Sequence, residues 1–273
     1  MNETEALRDD WDQHWTEFSA ASEMGPATRY RQRICLRLLE IKPGGEGVRL
    51  LDIGSGPGGF AELFCAQYPF AQYRGLDSSA TGIQLASYRV PHAEFEVCDL
   101  MEPVREGQTA RFGATHAVCS EVLEHLDDPA TFLRNTKAYM APDCRFVVTV
   151  PGGQPNAFDR YIGHRRHYTA SELRQLLEGA GFTVELATGT GFPFFNLYRL
   201  LTTWRGERLK QDVAGPPSLM VRAGTLLFGA LFRCNLMSVG WQTVAVARYR
   251  PETMGTSFTG STSGSRSQAL RSR

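Results

Sequence analysis

Along the middle of the chain, short apolar runs alternate with stretches whose apolar residues return every three or four positions. The runs are VRLLDI, YRGLD, AEFEVCDL, ATHAVCSE, RFVVTVP, FTVELATG and, after a long gap, WQTVAVARYR. Each is short, rich in β-branched or aromatic residues, and reads as a strand. Between them the helical period marks GFAELFCAQY, stopped by Pro69; TGIQLASYR; PATFLRNTKAYM, with Asp128 as N-cap and Pro129 first in the helix; and ASELRQLLEGAG. In the last, Thr169 and Glu172 form a capping box, Gly179 or Gly181 ends the helix, and Leu173, Leu176 and Leu177 share a buried face. Seven strands alternating with helices predict an α/β, Rossmann-like, doubly wound sheet.

The same pattern divides the chain. Residues 1–29, with the aromatic segment WDQHWTEF, read as an N-terminal helical cap, and Tyr30 to Glu40 as a helix with Ile34, Leu38 and Leu39 inward. Residues 30–250 form the main domain. Within it, residues 192–238 are a helical insertion or lid before the last strand, mixing aromatics with Arg199, Arg205, Arg208 and Lys210. Residues 251–273 hold almost no apolar side chains and read as a disordered tail.

Composition narrows the function. The 273 residues, 42% hydrophobic, suffice for one well-cored domain with a cap. Lys+Arg and Asp+Glu both number 29, so no global field draws the protein to nucleic acid or to an anionic membrane. Six cysteines standing singly, and an acidic, polar N-terminus where an export signal needs a basic flank, lead us to expect a reduced, cytoplasmic protein. The most apolar late stretch, Leu219 to Phe232, is too short to span a bilayer and carries Arg222, which leaves peripheral contact as its only membrane role.

The segment LLDIGSGPGGF, Leu50 to Phe60, is a strand turning through glycines into a helix whose N-terminus faces a ligand. Gly54, Gly56 and Gly59 satisfy G-x-G-x-x-G, and Asp77 closes the next strand where an acid would hold a ribose. NAD and S-adenosylmethionine both fit that much. Asp52 beside the turn suits a cationic ligand and would repel a pyrophosphate. Asp99 and Leu100, ending the third strand, suit an adenine amine and ring. SEVLEHLDDP then brings acids and a histidine to the end of the fourth strand.

With those segments and HRRHYTASELRQLLEGAGF in this order, the chain resembles the class I S-adenosylmethionine-dependent methyltransferases, in their small-molecule branch. The resemblance runs from about Tyr30 to Tyr249. It implies a seven-stranded sheet with an antiparallel last strand, and cofactor contacts from Asp52, Gly54, Gly56, Asp77, Ser78, Asp99, Leu100 and Glu121. It further implies that the acceptor meets Glu121 and His125, the candidate catalytic residues.

Glu121, Glu124 and His125 also resemble the E-x-x-E-H element of methyltransferases that bind a divalent ion, such as small-RNA 2′-O-methyltransferases and certain quinone-pathway O-methyltransferases. Those enzymes take another histidine ahead of an aromatic-Thr pair, the place of His164 before Tyr168 and Thr169. The implied set for Mg²⁺, Mn²⁺ or Zn²⁺ is Glu121, Glu124, His125 and His164. In metal-free relatives the Glu is a cap, and the His is a base or lines the pocket. His167 reads as a loop or capping residue, and Arg165 and Arg166 as acceptor-binding or as paired, with Asp159 as one partner. His14, Trp11 and Trp15 either close over the cofactor or simply pack.

Phe192, Phe194, Phe195, Tyr198 and Trp204 suggest an apolar or aromatic small-molecule acceptor, such as a phenol, quinone precursor, polyketide or glycoside; their other reading is a lid with its own core. No basic stripe or RNA-binding module appears, which argues against a nucleic-acid partner. The reading is a small-molecule methyltransferase working on a hydroxyl. Its alternatives are a non-catalytic S-adenosylmethionine-binding or scaffold subunit and an NAD-dependent oxidoreductase.

Overall fold

The computed structural model describes residues 10–103, 112–205 and 219–251. Arg208, Lys210, the side chain of Arg205 and the expected tail after Pro251 lie outside what it describes. The seven expected strands are all present: β1 Arg49–Ile53, β2 Gln72–Asp77, β3 Glu94–Val97, β4 Ala114–Ser120, β5 Met140–Pro151, β6 Phe182–Thr190 and β7 Gln242–Tyr249. They form one sheet in the order β3-β2-β1-β4-β5-β7-β6, parallel except that β7 runs against both β5 and β6. The order reverses between β1 and β4, so the carboxyl ends of these strands flank a crevice, the usual ligand place in such sheets.

Alternation along each strand divides the core. Leu51, Ile53, Cys119, Phe146 and Val148 face one side, where Leu173 and Leu177 of the helix Ala170–Gly179 meet them. Leu50, Val118, Val147 and Val246 face the other and pack on Leu39 and Phe64. Leu176 is only partly buried at the edge. The capping box at Thr169 and Glu172 is complete, and Gly181 turns the chain away at φ +87°.

Two boundaries differ from the sequence pattern. The third strand ends at Val97 because Asp99 Oδ1 accepts the Met101 N–H at 2.8 Å and turns the backbone. PATFLRNTKAYM does not stay helical to its end. The helix stops at Thr136, a 3₁₀ turn covers Lys137–Tyr139, and Met140 already pairs with Ala114. Buried Tyr139 and the Lys137 Nζ bond to the Ala180 carbonyl fix that turn.

In chain order the helices are α1 Trp11–Met24, α2 Pro26–Leu39, α3 Gly59–Gln67, α4 Ala80–Arg89, α5 Pro129–Thr136, α6 Ala157–Tyr161, α7 Ala170–Gly179, α8 Phe194–Arg205 and α9 Leu219–Leu231. The last two make up the expected insertion. With α2 they enclose a third core of Tyr30, Ile34, Phe195, Phe232 and Val244. No helix among the described residues is long and apolar enough to cross a membrane.

Candidate functional site

The glycine turn is held from below and shaped from above. The N–H groups of Gly54 and Ser55 both donate to the Leu76 carbonyl, at 2.8 and 3.0 Å, tying the end of β1 to β2. Gly54 sits at φ +74°, and a Cβ there would collide with Val122, so both the dihedral and the close approach call for glycine. Asp77 Oδ2 accepts the Gly56 N–H at 2.8 Å and Oδ1 accepts the Ser79 N–H at 2.9 Å. One carboxylate thus fixes the turn and the entry to α4. Burial pushes its pKa up against these two bonds.

The cap helix α1 is fastened over this turn. Asp12 Oδ1 accepts both the Ser79 hydroxyl, at 2.6 Å, and the Thr81 N–H, at 2.8 Å, supplying an N-terminal cap to α4 from a distant segment. Trp15 packs against Gly56 and Gly82, where a Cβ would come within 2.8 and 3.0 Å of its ring. Below the cap lies a crevice of about 620 Å³, mouth included. Its wall on the β1–β3 side is Gly54, Leu76, Asp77, Ser78, Asp99 and Leu100; its wall on the β4 side is Glu121, Val122, His125 and Leu126; Trp11 and Trp15 close the top.

At the β4 side a row of rings leads inward. Trp11 stands edge-on to His125 at 4.7 Å between centroids, and His125 edge-on to His164 at 4.7 Å. His164 Nδ1 shares a hydrogen bond with His167 Nε2 at 3.1 Å. Asp159 ends the row, 3.5 Å from His167 and accepting from Arg199 Nη2 at 2.7 Å. Burial pushes the His125 pKa down to about 3, with His14 and Arg165 adding to the shift, and the His164 pKa down to about 2, so both rings are neutral at pH 7. Glu124 is wholly buried, and neither of its oxygens has a hydrogen-bond partner among the described residues. Burial first, and then the charge of Glu121, push its pKa well above the ordinary carboxylate range.

Glu121 takes a separate course. It has φ +60°, and its Oε1 accepts from Gln242 Nε2 at 2.8 Å and Thr149 Oγ1 at 3.1 Å, while Arg31 Nε lies 3.6 Å from Oε2. It lines the crevice but is drawn away from the histidines.

Several expected residues are placed differently from their sequence reading. Asp52 and Gly56 are not in the crevice wall. Asp52 shares the strand face of Leu50, so its carboxylate is buried against the Tyr73 hydroxyl, which donates to it, and burial raises its pKa to about 7. Arg165 pairs with Asp127, and Arg166 donates to the Asp127 carbonyl at 3.4 Å, while Asp159 takes Arg199 instead. His167 lies in the loop before α7, as expected, but its ring is buried as an inner member of the histidine row. None of Phe192, Phe194, Phe195, Tyr198 and Trp204 lines the crevice. Phe194, Phe195 and Tyr198 turn to the insertion's own core.

The family model for a methyltransferase domain matches residues 27–187, more than half of the chain. The chain belongs to this methyltransferase family. Among curated relatives, a trans-aconitate 2-methyltransferase of Variovorax paradoxus is 32% identical over 132 residues, 48% of this chain and 49% of that one. A ubiquinone biosynthesis O-methyltransferase of Rhodopseudomonas palustris is 30% identical over 173 residues, 56% of this chain and 66% of that one. The matched part of the chain thus spans about half to two thirds of these relatives. Among solved structures, a Haemonchus contortus phosphoethanolamine N-methyltransferase bound to S-adenosylmethionine superposes with a TM-score of 0.60 at 18% identity, covering 90% of this chain and 60% of that one. The cyclase SpnF gives 0.56 at 17% identity, covering 82% and 81%. At such identities these two likenesses concern the fold alone.

Within this methyltransferase domain, the divalent-ion set implied by E-x-x-E-H is only partly assembled. Ligand atoms of Glu124, His125 and His164 all lie within 4.8 Å of one another. The unpartnered Glu124 oxygens and His125 Nδ1, together with two neutral imidazoles, fit a cation. Glu121 does not join them, because Gln242, Thr149 and Arg31 hold it.

Three positioning residues escaped the sequence reading: Asp12, Arg31 and Gln242. Their partners lie far along the chain, 67 positions away for Asp12 and Ser79 and 121 for Gln242 and Glu121, so no local spacing marks them.

Proposed function

We propose that the chain moves the methyl group of S-adenosylmethionine to a hydroxyl of a small, weakly charged acceptor. The observation that carries this reading is a single crevice with two chemically different ends under one aromatic cap. Asp77, Ser78, Asp99 and Leu100 would take the ribose and adenine at one end, and His125 and Glu121 stand at the other. Asp52 and Asp99 oppose a dinucleotide pyrophosphate, which disfavours the oxidoreductase reading.

Methyl transfer from a sulfonium is an in-line displacement, so the work of the protein is orientation and exclusion of water. Trp11 and Trp15 supply the cover. A hydroxyl acceptor must also lose its proton, and neutral His125, at the crevice wall, is the group placed to receive it. A ring of so low a pKa needs its cation stabilised. Glu124, 3.9 Å from His125 Nε2, does that when it ionises. A divalent ion held by Glu124, His125 and His164 would supply Lewis acidity toward the acceptor oxygen.

The acceptor class follows from charge. The basic residues around the site are engaged: Arg31 with Glu121, Arg199 with Asp159, Arg165 with Asp127. A tricarboxylate would find its counter-charges already taken, which favours an acceptor of the phenol or quinone-precursor kind over one like trans-aconitate. The test is a panel of phenols, hydroxylated quinone precursors and polycarboxylates incubated with methyl-labelled S-adenosylmethionine. Label on a phenolic oxygen supports the reading. Label only on carboxylates contradicts it, and no turnover with any acceptor would leave a cofactor-binding scaffold.

Asp52 gives a pH signature. Its pKa near 7 in the free protein falls when a cation binds beside it, so binding releases a proton. Cofactor affinity is therefore expected to rise as pH increases through 7, by no more than about tenfold per unit. Asp52→Asn should flatten the profile. Calorimetric titration on either side of pH 7 checks this, and a flat wild-type profile contradicts it.

A further inference from the structure

The histidine row has a direction of proton donation, and a backbone carbonyl sets it. His167 lies between two partners: its Nδ1 stands 3.2 Å from the Gly153 carbonyl oxygen and its Nε2 3.1 Å from His164 Nδ1. A carbonyl only accepts, so Nδ1 of His167 carries a proton, and in the neutral ring Nε2 is left with the lone pair. Nε2 therefore accepts, and the proton between the two rings belongs to His164 Nδ1. The lone pair of His164 then falls on its Nε2, because the bond made by one ring nitrogen settles the state of the other.

The surroundings hold this arrangement in place. The Tyr168 N–H donates to the Pro151 carbonyl at 3.0 Å and the Gly152 N–H to the Trp241 carbonyl at 2.8 Å, so the neighbours of His167 and of Gly153 are both pinned. The His164 N–H donates to the Asp159 carbonyl and the Arg165 N–H to the Glu124 carbonyl, at 3.0 and 2.8 Å. Asp159 Oδ2, 3.5 Å from His167 Nε2, would draw a second proton onto that ring. That oxygen, however, already accepts from Arg199 Nη2 at 2.7 Å and from the Asn156 N–H at 2.9 Å. The His167 side chain is also only 2% exposed, and burial favours its neutral form.

We propose that His167 is a positioning residue: with the Gly153 carbonyl behind it, it locks His164 in the Nδ1–H tautomer and leaves the Nε2 lone pair for the cluster with Glu124 and His125. Ligand atoms of those three residues lie within 4.8 Å of one another, and among the described residues His125 Nδ1 and both Glu124 oxygens have no hydrogen-bond partner. The consequence rests on the reading of that cluster as a cation site. An imidazole binds a cation through its lone pair, so the tautomer of His164 decides whether it can serve as a ligand there.

The test is ring ¹⁵N NMR of the full, metal-stripped chain labelled at histidine, with His164→Asn to identify the His164 signals. The wild type is expected to carry the His164 proton on Nδ1. His167→Ala should let that proton move to Nε2, whereas His167→Gln, whose amide oxygen can accept in place of the imidazole, should keep the wild-type tautomer. Calorimetric titration with Mn²⁺ reads the consequence: affinity about 10–100-fold weaker in His167→Ala and within about threefold of wild type in His167→Gln. Melting curves that match the wild type show that the variants fold, and the wild-type spectrum tests the assignment without either variant. A His164 protonated on Nε2 in the wild type, or a tautomer unmoved in folded His167→Ala, overturns the proposal. Failure of Mn²⁺ to bind the wild type while His164 keeps its Nδ1 proton overturns the cation reading alone and leaves the role of His167 in fixing the tautomer supported.

Discussion

Replacing Asp77 with alanine is expected to weaken S-adenosylmethionine binding by at least about 100-fold, an effect of about 2.7 kcal/mol. Two contributions add. In the proposed binding mode the carboxylate accepts the ribose hydroxyls, and a hydrogen bond to a charged group is worth about 1.5–3 kcal/mol. It also organises the site before any ligand arrives, through the Gly56 and Ser79 N–H groups it accepts. Without it the turn over which Trp15 packs keeps the Gly54 and Ser55 bonds to Leu76 but loses the side-chain tie at Gly56. Asp77→Asn keeps one acceptor oxygen and should lose less. Calorimetric titration of both variants, with melting curves to confirm folding, measures the effect; affinity unchanged in Asp77→Ala would place the cofactor elsewhere.

His125→Ala is expected to lower kcat by about 10²–10⁴-fold, the range for a positioned acid or base. Its cofactor affinity should stay within about threefold of wild type, because the ring borders the acceptor end and not the acids of β2 and β3. The cost to the fold is the loss of edge contacts to Trp11 and His164. Two companion measurements separate the roles open to the ring. If it serves as base, the loss is the same in chelated protein and in protein supplied with Mn²⁺. If Glu124, His125 and His164 bind an ion together, Glu124→Gln and His164→Ala give parallel losses that added metal partly restores. An equal fall in turnover and in cofactor affinity would make His125 a structural residue.

How much of this was legible in the sequence depends on how local each determinant is. The strands were readable because period-2 patterns and turn residues act within a few positions, and so were the caps at Asp128 and Thr169. Gly54, Asp77 and Asp99 were readable for the same reason, since each follows a strand directly. The misplaced boundaries came from local bonds that compete with the pattern. The Asp99 side chain ends a strand, and the Tyr139 ring and Lys137 ammonium convert a helix end into a turn.

Orientation was harder than position. Asp52 lay where expected along β1, but alternation puts it with Leu50 on the side of Tyr73 and out of the crevice wall. The pairings that hold the acceptor end, Arg31 with Glu121 and Arg199 with Asp159, join segments brought together only by the finished sheet and insertion. The aromatic segment after β6 read equally as a substrate wall or as a lid with its own core, because composition does not tell which core an aromatic residue joins; α2 and α9 supply the partners that Phe194, Phe195 and Tyr198 pack on.

The measurement that bears most directly on this account is calorimetric titration of the metal-stripped protein with S-adenosylmethionine and, separately, with NADH. Saturable binding of S-adenosylmethionine at one site per chain, lost in Asp77→Ala, is the predicted result. Binding of NADH alone would contradict it, and the turn at Gly54 to Gly59 would then be a pyrophosphate site despite the acids around it.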